Sequence, residues 1–334
     1  MLSVHNLSVR FPIRGGVLPR TRQYCHAVRG VNLKLAKGET LGLVGESGCG
    51  KSTLGKAIVR LVEPSRGSIT FDGKDISGLS AKELRPVRRD LQMIFQDPAE
   101  SLNPRFSIGD VLLEPFEIQN LGTAKERRMW VAELLEKVGL PSSAAQRFPF
   151  EFSGGQRQRI GIARAIALNP KVIVADEPVS ALDVSIQSQV LNLLLDLQQE
   201  LGMAYLFIAH DLAVVRHVSD RVAVMYLGEI VELAEADKIY HAPRHAYTKA
   251  LLSAIPSSDP LKTKQRILLE GDVPSPIDPP RGSAFGHRIG HARYQETIGL
   301  EMPLVEIEPG HYVRRDPCCL ESHDWERVKL LPGC

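Results

Sequence analysis

The sequence predicts an α/β fold in which a phosphate-binding loop follows a buried strand, with an antiparallel β part, a helical insert and a C-terminal extension added to that core. Three observations carry the prediction. GETLGLVGESGCGKSTL runs from an apolar stretch (41–44) through a glycine-rich turn into residues that open a helix, the context that the pattern G-x-x-x-x-G-K-[ST] requires. KVIVADEP (171–178) and MAYLFIAHD (203–211) are continuous apolar runs, as expected of parallel strands covered on both faces. Between them, SIQSQVLNLLLDLQQEL sets Ile186, Val190, Leu193, Leu194, Leu197 and Leu201 on one helical face. Strand and helix alternating in this way put a ligand at the carboxyl ends of the strands.

The remaining elements follow in order. Residues 1–40 alternate apolar and polar side chains (Leu7, Val9 and Phe11, then Val31, Leu33 and Leu35), and GSITFDGKDI (67–76) does the same, which predicts short antiparallel strands. RGGVLPRTRQ (14–23) reads as a loop between two of them. From about 107 to 170 the pattern turns helical, through VLLEPFEI, ERRMWVAELLEKVGL and RQRIGIARAIAL. Beyond about residue 240 the composition becomes irregular and proline-rich, as in VPSPIDPPRG. The expected division is 1–240 for the core domain, with the helical subdomain at about 100–165, and 241–334 for the extension.

Bulk properties exclude several classes. With 41 basic and 39 acidic side chains in 334 residues, the net charge of +2 gives no field that would select nucleic acid as a partner. No apolar run reaches the roughly 18 residues of a membrane span, and MLSVHNLSVRF lacks the apolar core of a signal peptide. Five cysteines, two of them adjacent and one inside the phosphate loop, do not form a disulfide framework. A reducing cytoplasm is the expected location.

In the loop, Gly45, Gly48 and Gly50 let the backbone curl so that N–H groups and a helix N-terminus converge on an anion. Glu46, Ser47 and Cys49 complete its circumference. Lys51 is placed to reach β and γ phosphates, Ser52 to offer its hydroxyl to Mg²⁺, and Thr53 to add a phosphate contact. Cys49 stands at a helix N-terminus beside Lys51, where positive potential favours a thiolate. Asp176 and Glu177 end an apolar strand, so one carboxylate can serve metal while the other polarises water. Ser153, Gly154, Gly155 and Gln156 precede a helix. They read either as a second anion-binding N-terminus or as a capping serine with flexible glycines.

With these motifs in place, the chain resembles the ATP-binding subunits of ABC transporters over nearly its whole length. The resemblance rests on GESGCGKST, the Q-loop FQDP with Gln96, the signature FSGGQ, the strand VIVADEP, the D-loop SALD and the switch histidine His210 in FIAHD, in that order. Phe152 replaces the commoner leucine of the signature. The resemblance implies a P-loop NTPase core of RecA type that binds ATP and Mg²⁺. Ser52, Gln96 and Asp176 would attend the metal, Glu177 would be the general base, and His210 would hold the attacking water. It also implies two ATPase subunits clamping two ATP molecules, each between the loop of one and the signature residues 153–156 of the other. Such a pair drives transmembrane permease subunits from the cytoplasmic face of the inner membrane and serves a solute-binding protein indirectly. Phe11 stands where such subunits stack an aromatic ring on adenine, and Tyr24 is the alternative.

Within that family, SLNPRFSIGDVLLEPF, HAPRHAYTKALLSAIP and GDVPSPIDPP resemble the dipeptide, oligopeptide and nickel importer branch. There the second ATPase subunit is usually a different chain, although a homodimer is also open. A soluble ABC ATPase or an exporter subunit is the alternative reading. Relatives in this branch often carry tail cysteines, as in C-x-F-x-x-R-C, that hold an iron–sulfur cluster. Here Ser283 and Ile289 stand at two of those positions in SAFGHRI, and Cys318, Cys319 and Cys334 remain, one thiolate short of four. A tail without a cluster is expected, held by packing of residues such as Ile277, Phe285 and Tyr312. His287, His291, Cys318, Cys319 and His323 are the residues from which a zinc-like site could be drawn.

Overall fold

Strand β3 (Thr40–Val44) is buried at every residue and delivers the chain directly into the phosphate loop. The computed structural model describes residues 1–15, 20–97, 101–255, 266–269 and 271–330. These fall into two units: one of Met1, Leu35–Thr40 and Gly78–Ile208, the other of Leu2–Lys34, Leu41–Ser77 and Ala209–Cys334. Elements are numbered in chain order.

The unit that carries the loop has two sheets. β1 (Leu2–Gly15), β2 (Arg20–Leu35), β4 (Arg66–Phe71) and β5 (Lys74–Asp75) lie in the order β2-β1-β4-β5, with β1 and β5 antiparallel to β4. A bulge in β1 explains an irregular pattern of buried residues. Leu2 and Val4 face the core, then Leu7 and Val9 do. The one-residue change of phase falls where the register shifts between His5 and Ser8 and Asn6 takes φ 47°. Asp72 and Gly73, both at positive φ, make the two-residue turn between β4 and β5. The expected loop over 14–23 is shorter than the sequence suggested: β1 runs to Gly15 and β2 begins at Arg20, because the strands continue polar and alternating past the buried sheet. Residues 16–19 lie outside the described residues.

The second sheet of this unit has the order β11-β12-β10-β9-β3. β9 (Arg221–Tyr226) runs parallel to β3. β10 (Glu229–Glu235), β11 (Leu304–Glu308) and β12 (His311–Arg314) continue it antiparallel. The extension therefore contributes two strands that composition did not reveal. Helices α1 (Lys51–Ile58), α7 (Leu212–Val218), α8 (Ala236–His241), α9 (Ala246–Ser253), α10 (Ala284–Arg288) and α11 (Ser322–Leu330) complete the unit. Phe285 is buried, but Ile277, expected to pack, is 37% exposed. It follows Pro276 in an irregular segment whose backbone is held instead, with the Pro276 carbonyl accepting from the His26 N–H at 2.8 Å.

In the other unit β6 (Leu91–Ile94), β7 (Val172–Asp176) and β8 (Ala204–Ile208) are parallel neighbours, and β7 and β8 are buried throughout. The expected helical insert is present as α3 (Ile108–Ile118), α4 (Ala124–Lys137) and α5 (Gly154–Ile166). Each begins in a capping box, Ser107 with Asp110, Thr123 with Glu126 and Ser153 with Gln156, which satisfies the first free N–H groups of each helix. Phe116 packs on Trp130 at 5.0 Å and joins α3 to α4. α6 (Val184–Leu201) buries Val190, Leu191, Leu194 and Leu197, so the stripe is rotated slightly and Leu191 takes the place expected of Leu193. α2 (Ala81–Asp90) precedes β6. Among the described residues no helix is long and apolar enough to cross a membrane.

Gly42 lets α7 lie against β3: a Cβ there would stand 2.4 Å from Val215 Cγ1 and 2.6 Å from Ser219 Oγ. Gly42→Val should destabilise the protein by about 2–3 kcal/mol through overpacking, seen as a lower urea midpoint at unchanged slope.

Candidate active site

The loop between β3 and α1 has the shape its glycines permit. Gly45, Gly48 and Gly50 take φ of 156°, 78° and 106°, and two of them also face backbone. A Cβ on Gly45 would lie 2.1 Å from the Met225 carbonyl oxygen, and one on Gly50 2.1 Å from that of Ala27. The turn between β9 and β10 closes on the loop as well, with the Gly228 N–H donating to the Cys49 carbonyl at 2.9 Å. α1 starts at Lys51 with no side-chain cap, so the N–H groups of its first turn keep the capacity to bind an anion. Lys51 is 4% exposed, and its Nζ donates to the carbonyls of Gly45 at 2.7 Å and Glu46 at 2.9 Å. An uncapped helix start, a lysine at its first residue and a glycine cradle together fit a polyphosphate. Ser52 and Thr53 follow, half-buried on α1, and Ser47 is exposed.

In the other unit, β7 ends at Asp176, which is 2% exposed. Glu177 follows at φ 46°, a left-handed conformation that costs a residue other than glycine on the order of 1 kcal/mol. Three bonds hold it there: its N–H donates to the Ile208 carbonyl at 2.9 Å, while its own carbonyl accepts from the Ser180 N–H at 3.3 Å and Oγ at 3.2 Å. The carboxylate then meets the Q-loop glutamine, Gln96 Nε2 donating to Glu177 Oε2 at 3.1 Å. The structure thus brings Gln96 and Glu177 together, a pairing that the sequence motifs did not specify. Carboxylates at Asp176 and Glu177 and the Gln96 amide are oxygen donors of the type that suits Mg²⁺.

At the signature the capping reading holds locally. Ser153 Oγ accepts from the Gln156 N–H at 3.3 Å, and the Gln156 side chain accepts from the Ser153 N–H at 3.0 Å. Both residues are nevertheless exposed, and Gly154 and Gly155 are half-buried. Phe152 is buried beneath the Arg147 guanidinium, 4.2 Å from its ring centre. His210 is exposed after β8, between Ala209, whose N–H donates to the Leu43 carbonyl at 3.2 Å, and Asp211, which caps α7. Phe11 is 41% exposed, so it is not the core residue that its spacing from Leu7 and Val9 also allowed. Tyr24 is 38% exposed and carries the Arg10 guanidinium 4.6 Å from its ring centre.

The tail residues gather differently from the sequence expectation. His287 is exposed and packs on Tyr294, and His323 is exposed beside Glu321 and Asp324. Among the described residues, His245, Asp316 and Cys319 bring one donor atom each within 4.8 Å of one another, all buried. Asp316 already accepts from the Ser283 hydroxyl, from Cys319 Sγ at 3.2 Å and from the Cys318 N–H at 2.9 Å. Burial pushes the Cys318 thiol up to about 11 and that of Cys319 well above its usual range, so both are thiols at neutral pH. Cys334 lies outside the described residues.

Cys49 corrects an expectation. It is 3% exposed, and burial raises its thiol pKa more than the neighbouring Lys51 lowers it. The positive end of α1 is real, but a charge removed from water costs more than one lysine and a helix terminus return. In the nucleotide-free protein at pH 7, a maleimide should therefore label half-buried Cys25 while leaving Cys49 unmodified for at least an order of magnitude longer. Peptide mapping after timed labelling reads this directly.

Comparison with known proteins agrees with the geometry. The family described as "ABC transporter" matches residues 28–180, and that described as "Oligopeptide/dipeptide transporter, C-terminal region" matches residues 231–295. The oligopeptide transport ATP-binding protein AppF of Bacillus subtilis (strain 168) is 54% identical over 94% of this chain and 96% of its own. The glutathione import ATP-binding protein GsiA of Salmonella typhimurium is 52% identical over 94% of this chain and 48% of its own. Among solved structures, the dimeric ATP-binding cassette MJ0796 bound to ADP and Pi superposes with a TM-score of 0.63 at 30% identity, over 71% of this chain and 99% of that one. A phosphate cradle, a Gln–Glu pair at a strand end and a relative matched almost end to end lead to one conclusion: the chain belongs to the ABC transporter ATP-binding proteins, in their oligopeptide and dipeptide branch.

Proposed function

We propose that the chain is the ATP-hydrolysing subunit of an importer for peptides or a related solute. The observation that carries this is the loop at 45–53, an anion cradle with Lys51 held at its base, in a chain whose relatives carry oligopeptide and glutathione transport in their names. Lys51 and the loop N–H groups bind the phosphates, and Thr53 adds a contact. MgATP supplies the phosphoryl group and a divalent charge, with Ser52, Gln96 and Asp176 as the metal's attendants on this chain. Glu177 takes a proton from the attacking water as the oxygen bonds to the terminal phosphorus and the bridging oxygen departs with ADP. Gln96 steadies that carboxylate, and His210 holds the water. Phe11 offers its exposed ring to adenine, with Tyr24 the competing candidate.

Ser153, Gly154, Gly155 and Gln156 complete the site of a second ATPase subunit, a different chain or a second copy. The exposure of Ser153 and Gln156 and the dimeric state of the MJ0796 cassette support this. Permease subunits in the membrane then receive the motion of the pair, with the chain peripheral on the cytoplasmic face and a solute-binding protein acting through the permeases. The division into an ATPase domain at 1–240 and an extension at 241–334 is supported by a second family match that begins at residue 231.

Glu177→Gln in the assembled transporter should keep nucleotide binding and lose turnover by about 10²–10⁴-fold, the usual contribution of a general base. Lys51→Ala should weaken MgATP binding at least tenfold, because the phosphates then lose the charge-assisted hydrogen bonds of the loop's buried ammonium. Steady-state ATPase and equilibrium nucleotide binding, measured together, separate the two roles. Wild-type turnover in the Gln variant would remove Glu177 from its part.

A further inference from the structure

The phosphate loop is gripped from behind by the part of the chain that follows the cassette. Glu46, its second residue, is held twice. Its N–H donates to the Tyr247 hydroxyl at 3.0 Å. Its carboxylate takes both terminal nitrogens of Arg288, at 2.6 Å and 3.2 Å. The Arg288 side chain is only 7% exposed, against 29% for Glu46, so this is a two-point ion pair with its cation largely withdrawn from water. The Glu46 carbonyl in turn accepts from Lys51 Nζ. An unbroken line of bonds therefore runs from the extension through Glu46 to the phosphate-binding lysine.

The extension is built to hold that grip. Tyr226, Tyr247 and Phe285 are each no more than 3% exposed, and their ring centres lie 4.6 to 5.5 Å apart. Phe285 and Arg288 share the short helix α10. Gly286 lets that helix rest directly on the next segment, since a Cβ there would stand 2.6 Å from Cys318 Cβ. Arg288 Nε also donates to the Gly271 carbonyl at 3.2 Å, which fixes the plane of the guanidinium.

We propose that Arg288 and Tyr247 are positioning residues for MgATP binding: by clasping Glu46 they hold the glycine-rich loop in its binding shape before nucleotide arrives. Three glycines at positive φ give the free loop many alternative conformations, and each must be given up when phosphate binds unless something else has already removed it. Of the loop residues ahead of Lys51, Glu46 is the one whose side chain can reach an ionic partner. The clasp supplies preorganisation from outside the cassette, which makes the extension part of the nucleotide site. This rests on the reading of the loop as an ATP site.

The test uses the full chain with Mg²⁺ and a fluorescent ATP analogue, alongside amide hydrogen exchange over residues 41–54 of the nucleotide-free protein. Arg288→Ala and Tyr247→Phe should each weaken analogue binding by about tenfold and speed exchange in the loop. Tyr247→Phe keeps its ring in the aromatic cluster and carries the test if the alanine variant fails to fold. Arg288→Lys should recover only part of the loss, because an ammonium cannot meet both carboxylate oxygens in one plane. Adding Glu46→Gln to Arg288→Ala should cost little more than either alone. In the assembled transporter KM for ATP should rise while kcat moves much less. Folded variants with wild-type affinity and wild-type loop exchange overturn the proposal, and so does tighter binding. A wild-type chain that fails to bind MgATP sinks the ATP reading, and hydrogen exchange still decides whether the clasp holds the loop.

Discussion

A loop made of glycines cannot hold its own shape. Gly45, Gly48 and Gly50 are needed because their conformations are open to few other residues and because backbone crowds two of them, but the same freedom leaves the segment without side chains to lock it. Everything around the loop can be understood as the answer to that deficit. β3 fixes its start by burial on both faces, and α1 fixes its end by helical hydrogen bonds. The β9–β10 turn holds Cys49 from one side. Tyr247 and Arg288 hold Glu46 from another. Between these supports α1 begins without a side-chain cap, and a helix start of that kind is where a phosphate belongs.

The general-base candidate meets the opposite problem. Glu177 is a residue with a side chain in a conformation that suits glycine, so it stores strain where the loop stores freedom. That strain persists only while neighbouring bonds outweigh it, and the bonds to Ile208 and Ser180 do so at the backbone. The return is directional: the bend turns the carboxylate out of the line of β7 and onto the Gln96 amide. Asp176, one residue earlier, stays in the buried strand. Adjacent carboxylates thus acquire different surroundings through one backbone torsion, which is the separation that unlike roles in metal binding and proton transfer require.

Much of this was legible in the sequence, and for identifiable reasons. β3, β7 and β8 are short apolar runs because both faces are covered, and the insert helices announce themselves by period. The motif residues carry their chemistry in their identity and spacing. What could not be read lies where contacts join residues distant in the chain. Nothing in HAYTKALL or SAFGHRI marks Tyr247 and Arg288 as partners of Glu46, some 200 residues earlier, since a tyrosine in a helix and an arginine in an irregular tail are each ordinary. Cys49 misled for a related reason. Its neighbours in sequence predicted a thiolate, whereas its burial, which only the folded chain reveals, favours a thiol. The positive φ of Glu177 left no trace either, because a glutamate, unlike glycine or asparagine, is not a residue type that marks such a torsion.

The extension illustrates how a tail that looks appended can be structural. β10 would end the sheet with an open edge, and β12 covers it, pairing Glu232 with Val313 and Leu233 with Tyr312. At that seam Glu232 is fully buried. Burial alone would raise its carboxyl pKa, but hydrogen bonds from His311, Thr248 and the backbone N–H groups of Arg244 and His245 outweigh that and lower it. A buried carboxylate is tolerated only with its partners in place, and removing one typically costs about 3–5 kcal/mol. Three of these partners lie just beyond the strand that carries Glu232, and His311 comes from β12. The cassette's own sheet therefore contains a buried carboxylate whose hydrogen-bond donors come from the extension. The segment that reaches the phosphate loop through Arg288 is anchored to the same unit at its far end by that demand.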